Sequence, residues 1–592
     1  MGLLIDRQGI HFDPSRASDL ETLLATHPLD DPALLTRALA AIARLRHLHL
    51  SKYNAHDPAL PVPEPGYVLV VDQVRGDASL RHGGMDGPLG PETFAALLNR
   101  AKSDHPDAPV LIRCHPETTG DARPGYYGPK DAGGRVRLIT DPVSPWALLE
   151  GARAVYTVSS QLGFEAILAG HRPIVAGLPF YAGWGLSDDP GHPRRNRRLT
   201  AAQLFAGAAI LFPHWYDPLE DRLCQIETVI DQLEARARAF RDDRAGYVAT
   251  GMRAWKRGPL QGFFGGETAV RFAKGPARAA QLARQSGRRL IGWAGAVPED
   301  FTGCRVEDGL LRSRGLGAEL VPPLSLVMDD LGIYFDPGRE SRLERLITAP
   351  LPPGGAARAA RLRAAITTAG LTKYNLGGDD AGARIAAFRA EKPGALVILV
   401  PGQVEDDASI RLGCGGVRTN AGLLEATRAA NPGAILIYKP HPDVEAGLRP
   451  GAVPGADRLA DLVVTQGDPA ALLGQVDAVW TLTSGLGFEA LLRGVPVSCL
   501  GAPFYAGWGL TTDRGPVPTR RSALPASEAL DRLTHAVLIA YPRYRDPLTG
   551  SPCPPETIVT RLATGQTGRP SARLRALAKL QGWLAGHAWL WR

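Results

Sequence analysis

Cysteine is scarce in this chain: six in 592 residues (Cys114, Cys224, Cys304, Cys414, Cys499, Cys553), scattered and without a Cys-x-x-Cys pair. That pattern suits a reducing cytoplasm better than a disulfide framework. Long apolar runs are missing too. None reaches 18 residues, so no transmembrane helix is expected, and the start MGLLIDRQGIHFDP turns polar at once, which predicts no signal peptide. There is no His-x-x-x-His and no clear Asp-x-Asp, so no metal and no other cofactor is expected. The absence of a Walker A lysine loop and of a Gly-x-Gly-x-x-Gly after a strand argues against an NTPase or a dehydrogenase. Charge of one sign is not strongly in excess either, at net +7. The basic surplus gathers near Arg253–Arg289 and again at Arg569, Arg573, Arg575 and Lys579. It reads as solvated helix faces or as attraction to anionic lipid or a polyanionic product. No nucleic-acid-binding motif accompanies it, so nucleic acid is not an expected partner.

What the chain does contain, it contains twice. SSQLGFEAILAGHRPIVAGLPFYAGWGL (159–186) returns as TSGLGFEALLRGVPVSCLGAPFYAGWGL (483–510). Other blocks recur in the same order: GIHFDP (Gly9–Pro14) with GIYFDP (Gly332–Pro337), LSKYN (Leu50–Asn54) with LTKYN (Leu371–Asn375), DQVRGDAS (Asp72–Ser79) with GQVEDDAS (Gly402–Ser409), IRCHP (Ile112–Pro116) with YKPHP (Tyr438–Pro442), and Asp217-Pro218 with Asp546-Pro547. The spacing far exceeds the roughly 20–50 residues of solenoid repeats. It marks a duplicated domain pair, and the two copies serve as an internal alignment.

Each repeat alternates short apolar strands with helices. In the second copy Leu396–Val400, Ile435–Tyr438, Asp461–Thr465, Ala478–Leu482 and Val495–Leu500 read as strands, with helices from Asn420 to Ala430 and from about Gly485. Continuous apolar strands of this kind form parallel sheets covered on both faces. Ligands bind at the carboxyl ends of such strands, and the repeated blocks fall there. The expected class is α/β: tandem modules built of Rossmann-like parallel-sheet domains. The first module spans 1–228, an incomplete acceptor-side domain (1–64) and a donor-side domain (65–228). A helical connector (229–288) follows. The second module has an acceptor-side domain (289–392), which opens with RLIGWAG (Arg289–Gly295), and a donor-side domain (393–566). Residues 567–592 alternate cations with Leu and Trp at helical spacing, as in a docking helix or an interfacial one. The first copy has no counterpart of Arg289–Gly295 or of VEDGLLRSRGLG (Val306–Gly317), which predicts activity in the second module and not in the first.

Several residues at the strand ends have chemical potential. Ser160 and Ser484, with Gly485, open a helix whose free N–H groups and dipole favour a phosphate. Glu165 and Glu489 lie about a turn further in, placed either to hydrogen-bond ribose hydroxyls or to face solvent. His115 and His441, each followed by proline (Pro442 in the second copy), are placed to protonate or hydrogen-bond a phosphate leaving group. Asp77 and Asp407 are candidate nucleophiles toward an anomeric carbon; the plain alternative is an N-cap. Glu307 and Asp308 add a second carboxyl centre to the second copy, as general acid/base work beside a nucleophile requires. Gln73, Gln403, Lys439 and the aromatics Tyr181, Trp184, Tyr505 and Trp508 are supporting residues.

These blocks resemble the capsule polysaccharide β-Kdo transferases of the KpsC type, where Kdo is 3-deoxy-D-manno-oct-2-ulosonic acid. The series Glu307-Asp308-Gly309, His441-Pro442 and Thr483-Ser484 is also similar to that of bacterial sialyltransferases. The resemblance implies two GT-B modules, each with an active cleft between two Rossmann-like domains. It implies CMP-Kdo as donor, a phosphatidylglycerol-type glycolipid as acceptor, and retained configuration. Asp407 and Asp77 would be nucleophiles, His441 and His115 would assist CMP departure, Ser484/Glu489 and Ser160/Glu165 would hold CMP, and Glu307 or Asp308 would be the acid/base. A cytoplasmic protein, peripheral on the inner face of the inner membrane and near capsule assembly or export proteins, is the implied setting. Two alternatives are a GT-B transferase using another nucleotide sugar and a non-catalytic capsule assembly or export protein.

Overall fold

The computed structural model describes residues 1–85, 87–118, 123–315, 321–375, 381–465 and 467–567. It divides into two compact units, Met1–Arg241 and the chain from Asp242 onward.

In the first unit, β2 (Tyr67–Val71), β3 (Val110–Arg113), β4 (Val136–Ile139), β5 (Ala152–Thr157) and β6 (Ile174–Val175) form a parallel sheet in the order β4-β3-β2-β5-β6. The run YVLVV has no polar side because both faces of its strand are covered. Tyr67, Leu69 and Val71 enter one core with Trp146 and Trp184. Val68 and Val70 enter the other with Phe94 and Leu98. The period-2 alternation of a strand thus serves two apolar layers. A second, three-stranded sheet joins β1 (Gly2–Leu3), β7 (His214–Asp217) and β8 (Arg222–Cys224), all antiparallel.

The second unit has two sheets. One has seven strands: β9 (Tyr247–Thr250), β10 (Arg271–Phe272), β11 (Arg289–Trp293), β12 (Cys304–Asp308), β13 (Ser325–Asp329), β20 (Pro542–Arg545) and β21 (Pro552–Cys553), in the order β10-β9-β11-β12-β13-β20-β21. The other is a six-stranded parallel sheet of β14 (Val397–Pro401), β15 (Ile435–Lys439), β16 (Leu462–Val463), β17 (Ala478–Thr481), β18 (Val497–Cys499) and β19 (Thr512–Asp513), in the order β16-β15-β14-β17-β18-β19. The duplication is visible in register. Gly2 pairs with Trp215 and Leu3 with His214, as Ser325 pairs with Tyr544 and Leu326 with Arg543. The three-stranded sheet of the first unit therefore corresponds to β13-β20-β21 of the second. In the second unit β12, the strand that ends in Glu307-Asp308, pairs with β13.

Two expected boundaries are corrected. The helical reading of 229–288 fits the helices Ile226–Asp243, Ala254–Phe264 and Pro276–Ser286, but β9 and β10 lie between them and pair parallel in the seven-stranded sheet. Four- and two-residue strands between long helical stretches carry too little pattern to read; pairing with β11 decides them. The donor-side stretches also end early. β7–β8 and β20–β21 leave the parallel sheets and return to β1 and β13, the strands just ahead of GIHFDP and GIYFDP. The helix expected at the C-terminus falls on residues 568–592, outside the described residues.

The distinctive FYAGWGL block is a buried brace. Tyr181, Trp184 and Tyr505 are fully buried, and Trp508 nearly so. Tyr181 Oη donates to Ser160 O (2.5 Å) and Tyr505 Oη to Ser484 O (2.6 Å), pinning the start of the helices Gln161–Ala169 and Gly485–Leu492. Only glycine leaves room for that hydroxyl: a Cβ on Gly163 or Gly487 would stand 2.2 Å from it. Two arginines close the brace from behind. Arg194 and Arg195 converge on the buried Glu21, and Arg520 and Arg521 on the buried Glu344. Arg195 and Arg521 also donate to the carbonyls of Pro179 and Pro503. A buried carboxylate needs such pairing to be tolerated.

Candidate functional site

Each site is built from loops at the carboxyl ends of the parallel strands. The loop after β14 carries Gln403 and Asp407. Gln403 Nε2 donates to Thr483 Oγ1 (3.0 Å) and its Oε1 accepts from Thr483 N (2.9 Å), so it fastens this loop to the one after β17. Gln73 does the same with Ser159 in the first unit, at 3.1 and 2.9 Å. Thr483 Oγ1 reaches Ser409 Oγ, and Ser409 donates to Asp407 Oδ1 from its hydroxyl (2.8 Å) and its backbone (2.9 Å). Asp77 and Ser79 repeat the pattern. Both aspartates are thus N-caps, of the helices Ala78–His82 and Ala408–Gly413. They are also exposed, and the capping bonds use only Oδ1.

The histidines take a defined tautomer. His441 Nδ1 accepts from Asp443 N (3.1 Å), and His115 Nδ1 from Glu117 N (3.2 Å). Burial holds both imidazoles below their ordinary value, so each is neutral at pH 7. A neutral ring that accepts at Nδ1 carries its proton at Nε2. Each histidine thus offers an N–H donor at Nε2. Pro442 starts the short helix that His441 caps.

Ser160 and Ser484 cap their helices by accepting from Leu162 N and Leu486 N. Neither glutamate faces solvent. Glu489 Oε1 accepts the backbone N–H of Lys373 (2.7 Å), while its Oε2 has no protein partner. Glu165 accepts from Ser51 Oγ at 2.8 and 3.0 Å. Burial pushes both carboxyls up to about 7. The stability a raised carboxyl contributes is present below its ordinary value of 4.5 and is lost as pH rises through about 7. Glu489→Gln keeps an acceptor for Lys373 N–H and removes the titration. Its melting temperature is therefore expected to gain on the wild type's between pH 5 and pH 8, with a ceiling of about 3 kcal/mol. An unchanged difference across that range would contradict the buried placement.

Lys439 is engaged with the backbone. Its Nζ donates to Thr465 O (3.3 Å), and Arg113 fills the same place in the first unit, tied to Asp141 O and Val143 O. These side chains brace neighbouring strand ends.

The second unit brings its acidic pair to this edge. Gly309 has no room for a Cβ, which would stand 2.4 Å from Ser325 Oγ. β12 and β13 can therefore lie close, with Glu307 and Asp308 at the end of the pair. Leu310 lies over Gly485, 3.7 Å from where its Cβ would be. Tyr334 Oη donates to Asp308 O (3.3 Å), and the tyrosine lies within electrostatic reach of Glu307, Lys373 and Asp407. Asn375 Nδ2 donates to Ser313 O (2.9 Å), joining the LTKYN loop to the segment after Gly309. Burial and the neighbouring Asp308 charge push Glu307 up to about 7. Burial also raises Asp308, but Arg312, paired at 2.8 Å, and Lys256 outweigh it and hold that carboxyl low. Lys256 sits 2.9 Å from the centre of the Trp293 ring, and burial brings it down to about 8. The result is one ionised carboxylate beside one that exchanges a proton near neutrality, the division of labour that acid/base chemistry needs.

In the first unit the corresponding groups line one cavity of about 380 Å³, which includes Asp77, His115, Ser160, Glu165, Gln73 and Tyr181. That volume suits a small-molecule ligand. Trp184 is not among its lining residues. As sequence, LSKYN, LTKYN, GIHFDP and GIYFDP point to no role for Lys52, Lys373, His11 or Tyr334. Their retention as blocks in both copies was the available signal. Lys256 and Arg312 carried no such signal. Among the described residues no group of three or more His, Cys, Asp or Glu side chains is placed to hold a metal ion, and no helix is long and apolar enough to cross a membrane.

Comparison with known proteins agrees with this two-fold construction. The family described as "Capsule polysaccharide biosynthesis protein" matches residues 33–212 and again 356–544, one stretch in each repeat. The capsule polysaccharide modification protein LipA of Neisseria meningitidis serogroup B is 37% identical over 574 residues, covering 92% of this chain and 79% of LipA. The lipopolysaccharide-processing protein LpsZ of Rhizobium meliloti is 41% identical over 347 residues, covering 56% of this chain and 72% of LpsZ. Among solved structures, the β Kdo 2,7 transferase of Thermosulfurimonas dismutans KpsC aligns at 29% identity and a TM-score of 0.43, over 54% of this chain and 99% of that one. With the match present in both repeats and LipA related along nearly the whole length, the chain belongs to the capsule polysaccharide biosynthesis protein family.

Proposed function

We propose that the second unit is a retaining glycosyltransferase that moves Kdo from CMP-Kdo to a lipid-linked acceptor in capsule synthesis. One observation carries this reading: Tyr334, whose Oη donates to Asp308 O at 3.3 Å, lies within electrostatic reach of both Glu307 and Asp407, and Asp407 within that of His441. In the first step the free oxygen of Asp407 attacks the anomeric carbon. The bond from that carbon to the phosphate oxygen breaks, and CMP leaves with the electron pair. His441 Nε2–H donates to the departing phosphate. The helix start at Ser484–Gly485 and the unpartnered Glu489 Oε2 face the rest of the nucleotide. In the second step an acceptor hydroxyl attacks the same carbon, Glu307 takes its proton, and the carboxylate of Asp407 is released. Two inversions leave the configuration retained. Asp308, fixed by Arg312, stays ionised and keeps the Glu307 carboxyl basic enough for its task.

The acceptor in this reading is a phosphatidylglycerol-type glycolipid at the inner face of the inner membrane, where capsule assembly and export proteins would receive the product. The first unit keeps the equivalents of Asp407, His441, Ser484 and Glu489 around its cavity and binds the same nucleotide. The donor assignment is tested by thermal shift with CMP, UDP and GDP. Stabilisation by CMP alone is expected; stabilisation by UDP or GDP in its place would assign a different nucleotide sugar.

A further inference from the structure

The LSKYN and LTKYN loops are built with unusual care for segments without regular structure. Asn54 Oδ1 accepts from Ser51 N (3.0 Å) and its Nδ2 donates back to Ser51 O (2.8 Å). Asn375 Oδ1 accepts from Thr372 N (2.9 Å), while its own N–H donates to Thr372 Oγ1 (3.1 Å). Asn375 holds φ at +48°, a left-handed conformation that asparagine tolerates better than most residues. Each loop is also gripped by the buried glutamate of the neighbouring helix. Glu165 accepts from Ser51 Oγ, and Glu489 accepts from Lys373 N itself. In the first unit Tyr53 adds a further tie, donating to Glu117 Oε1 (3.0 Å) with its ring edge-on to His115 at 5.3 Å.

All these bonds fix backbone and spacer residues, and what they present is the lysine. Lys52 lines the cavity with Asp77, His115 and Ser160. Lys373 lies within electrostatic reach of Asp308, Tyr334 and His441. Among the described residues neither ammonium enters an ion pair. The other cations near these sites are committed. Arg312 pairs with Asp308, Lys256 lies on the Trp293 ring, and Arg113 and Lys439 donate to carbonyls. Lys373 feels the charges of Asp308 and Glu307, and Lys52 that of Glu165, but neither ammonium is hydrogen-bonded to them among the described residues, so an anionic oxygen bound in the site can take it.

We infer that Lys52 and Lys373 each form an anion subsite for the activated sugar, taking an oxygen of its phosphate or of its sugar carboxylate. This rests on the proposed donor being an acidic sugar linked through phosphate. The experiment uses the full chain with Lys52→Met, Lys373→Met and the double variant, and measures affinity for cytidine, CMP and CMP-Kdo by calorimetry. Each single variant is expected to weaken one set of CMP-Kdo sites by about 10–100-fold, the scale of one charge-assisted hydrogen bond. Loss of CMP affinity to the same extent places the lysine on the phosphate. CMP affinity retained while CMP-Kdo affinity falls places it on the carboxylate. Cytidine binding, which offers neither group, stays unchanged in both cases. Lys→Arg variants are expected to recover part of the affinity, because charge is kept and geometry is not.

Two results overturn the inference: unchanged affinity for CMP and CMP-Kdo alike, or equal loss for cytidine, which would mean that the loop has collapsed. A wild-type chain that binds uridine or guanosine nucleotides and not cytidine ones would overturn the donor assignment instead. The same comparison of nucleoside, nucleotide and nucleotide sugar then decides the lysine with the ligand that binds.

Discussion

Asp407→Asn is expected to lower transfer by the second unit at least about 10³-fold while leaving the fold unchanged. The pairing of those two outcomes is what makes the substitution informative. Asp407 caps the helix Ala408–Gly413 through Oδ1, accepting from both the backbone and the hydroxyl of Ser409. Asparagine is as good an N-cap as aspartate, so the loop should keep its shape and the melting temperature should hold. What the amide cannot do is attack an anomeric carbon. Asp407→Ala would remove cap and nucleophile together and confuse the two. The measurement is CMP release from CMP-Kdo with a lipid-linked acceptor, beside a thermal melt. A variant that keeps more than a tenth of the wild-type rate would reduce Asp407 to its capping role. Asp77→Asn is the matching probe of the first unit, where the same cap is present.

Glu307→Gln is expected to stop the second half of the reaction and spare the first. The carboxyl titrates near 7 because burial and the Asp308 charge both penalise its ionisation. A general base with that value is worth about 10²–10⁴-fold. Because the basic form does the work, wild-type transfer should rise with pH through about 7, and that rise should be absent in the amide variant. Departure of CMP does not need Glu307. The variant should therefore release CMP once, in proportion to enzyme, and then stall. Stopped-time assays across pH 5.5 to 8.5 separate the cases. Continued turnover with an unchanged pH profile would move the acid/base role elsewhere.

Much of this arrangement was legible in the sequence because the chain repeats itself. Blocks kept in both copies marked the strand ends, and the apolar runs between them marked the parallel strands. The parallel sheet of the second unit follows those runs to within a residue or two, as at Val397–Pro401 and Ile435–Lys439. The illegible parts depend on contacts between distant residues. FYAGWGL reads only as a repeated block with supporting aromatics until Tyr505 is seen reaching Ser484 O and Arg521 reaching Glu344. Glu489 reads as a group for ribose or for solvent until Lys373 N–H occupies one of its oxygens. Nothing in LTKYN alone says that its asparagine turns back on Thr372 and leaves the lysine as the cation on display. Strand Tyr247–Thr250 is invisible for a different reason: four residues between two long helices have no periodicity to read, and only the partner Arg289–Trp293 makes them a strand.

The most direct test is intact-mass and peptide mass spectrometry of the protein after brief exposure to CMP-Kdo without acceptor, using Glu307→Gln to slow breakdown. The account predicts one Kdo joined covalently to Asp407, formed with release of one CMP and absent in Asp407→Asn. Full release of CMP with product formation and no sugar on any carboxylate would contradict it.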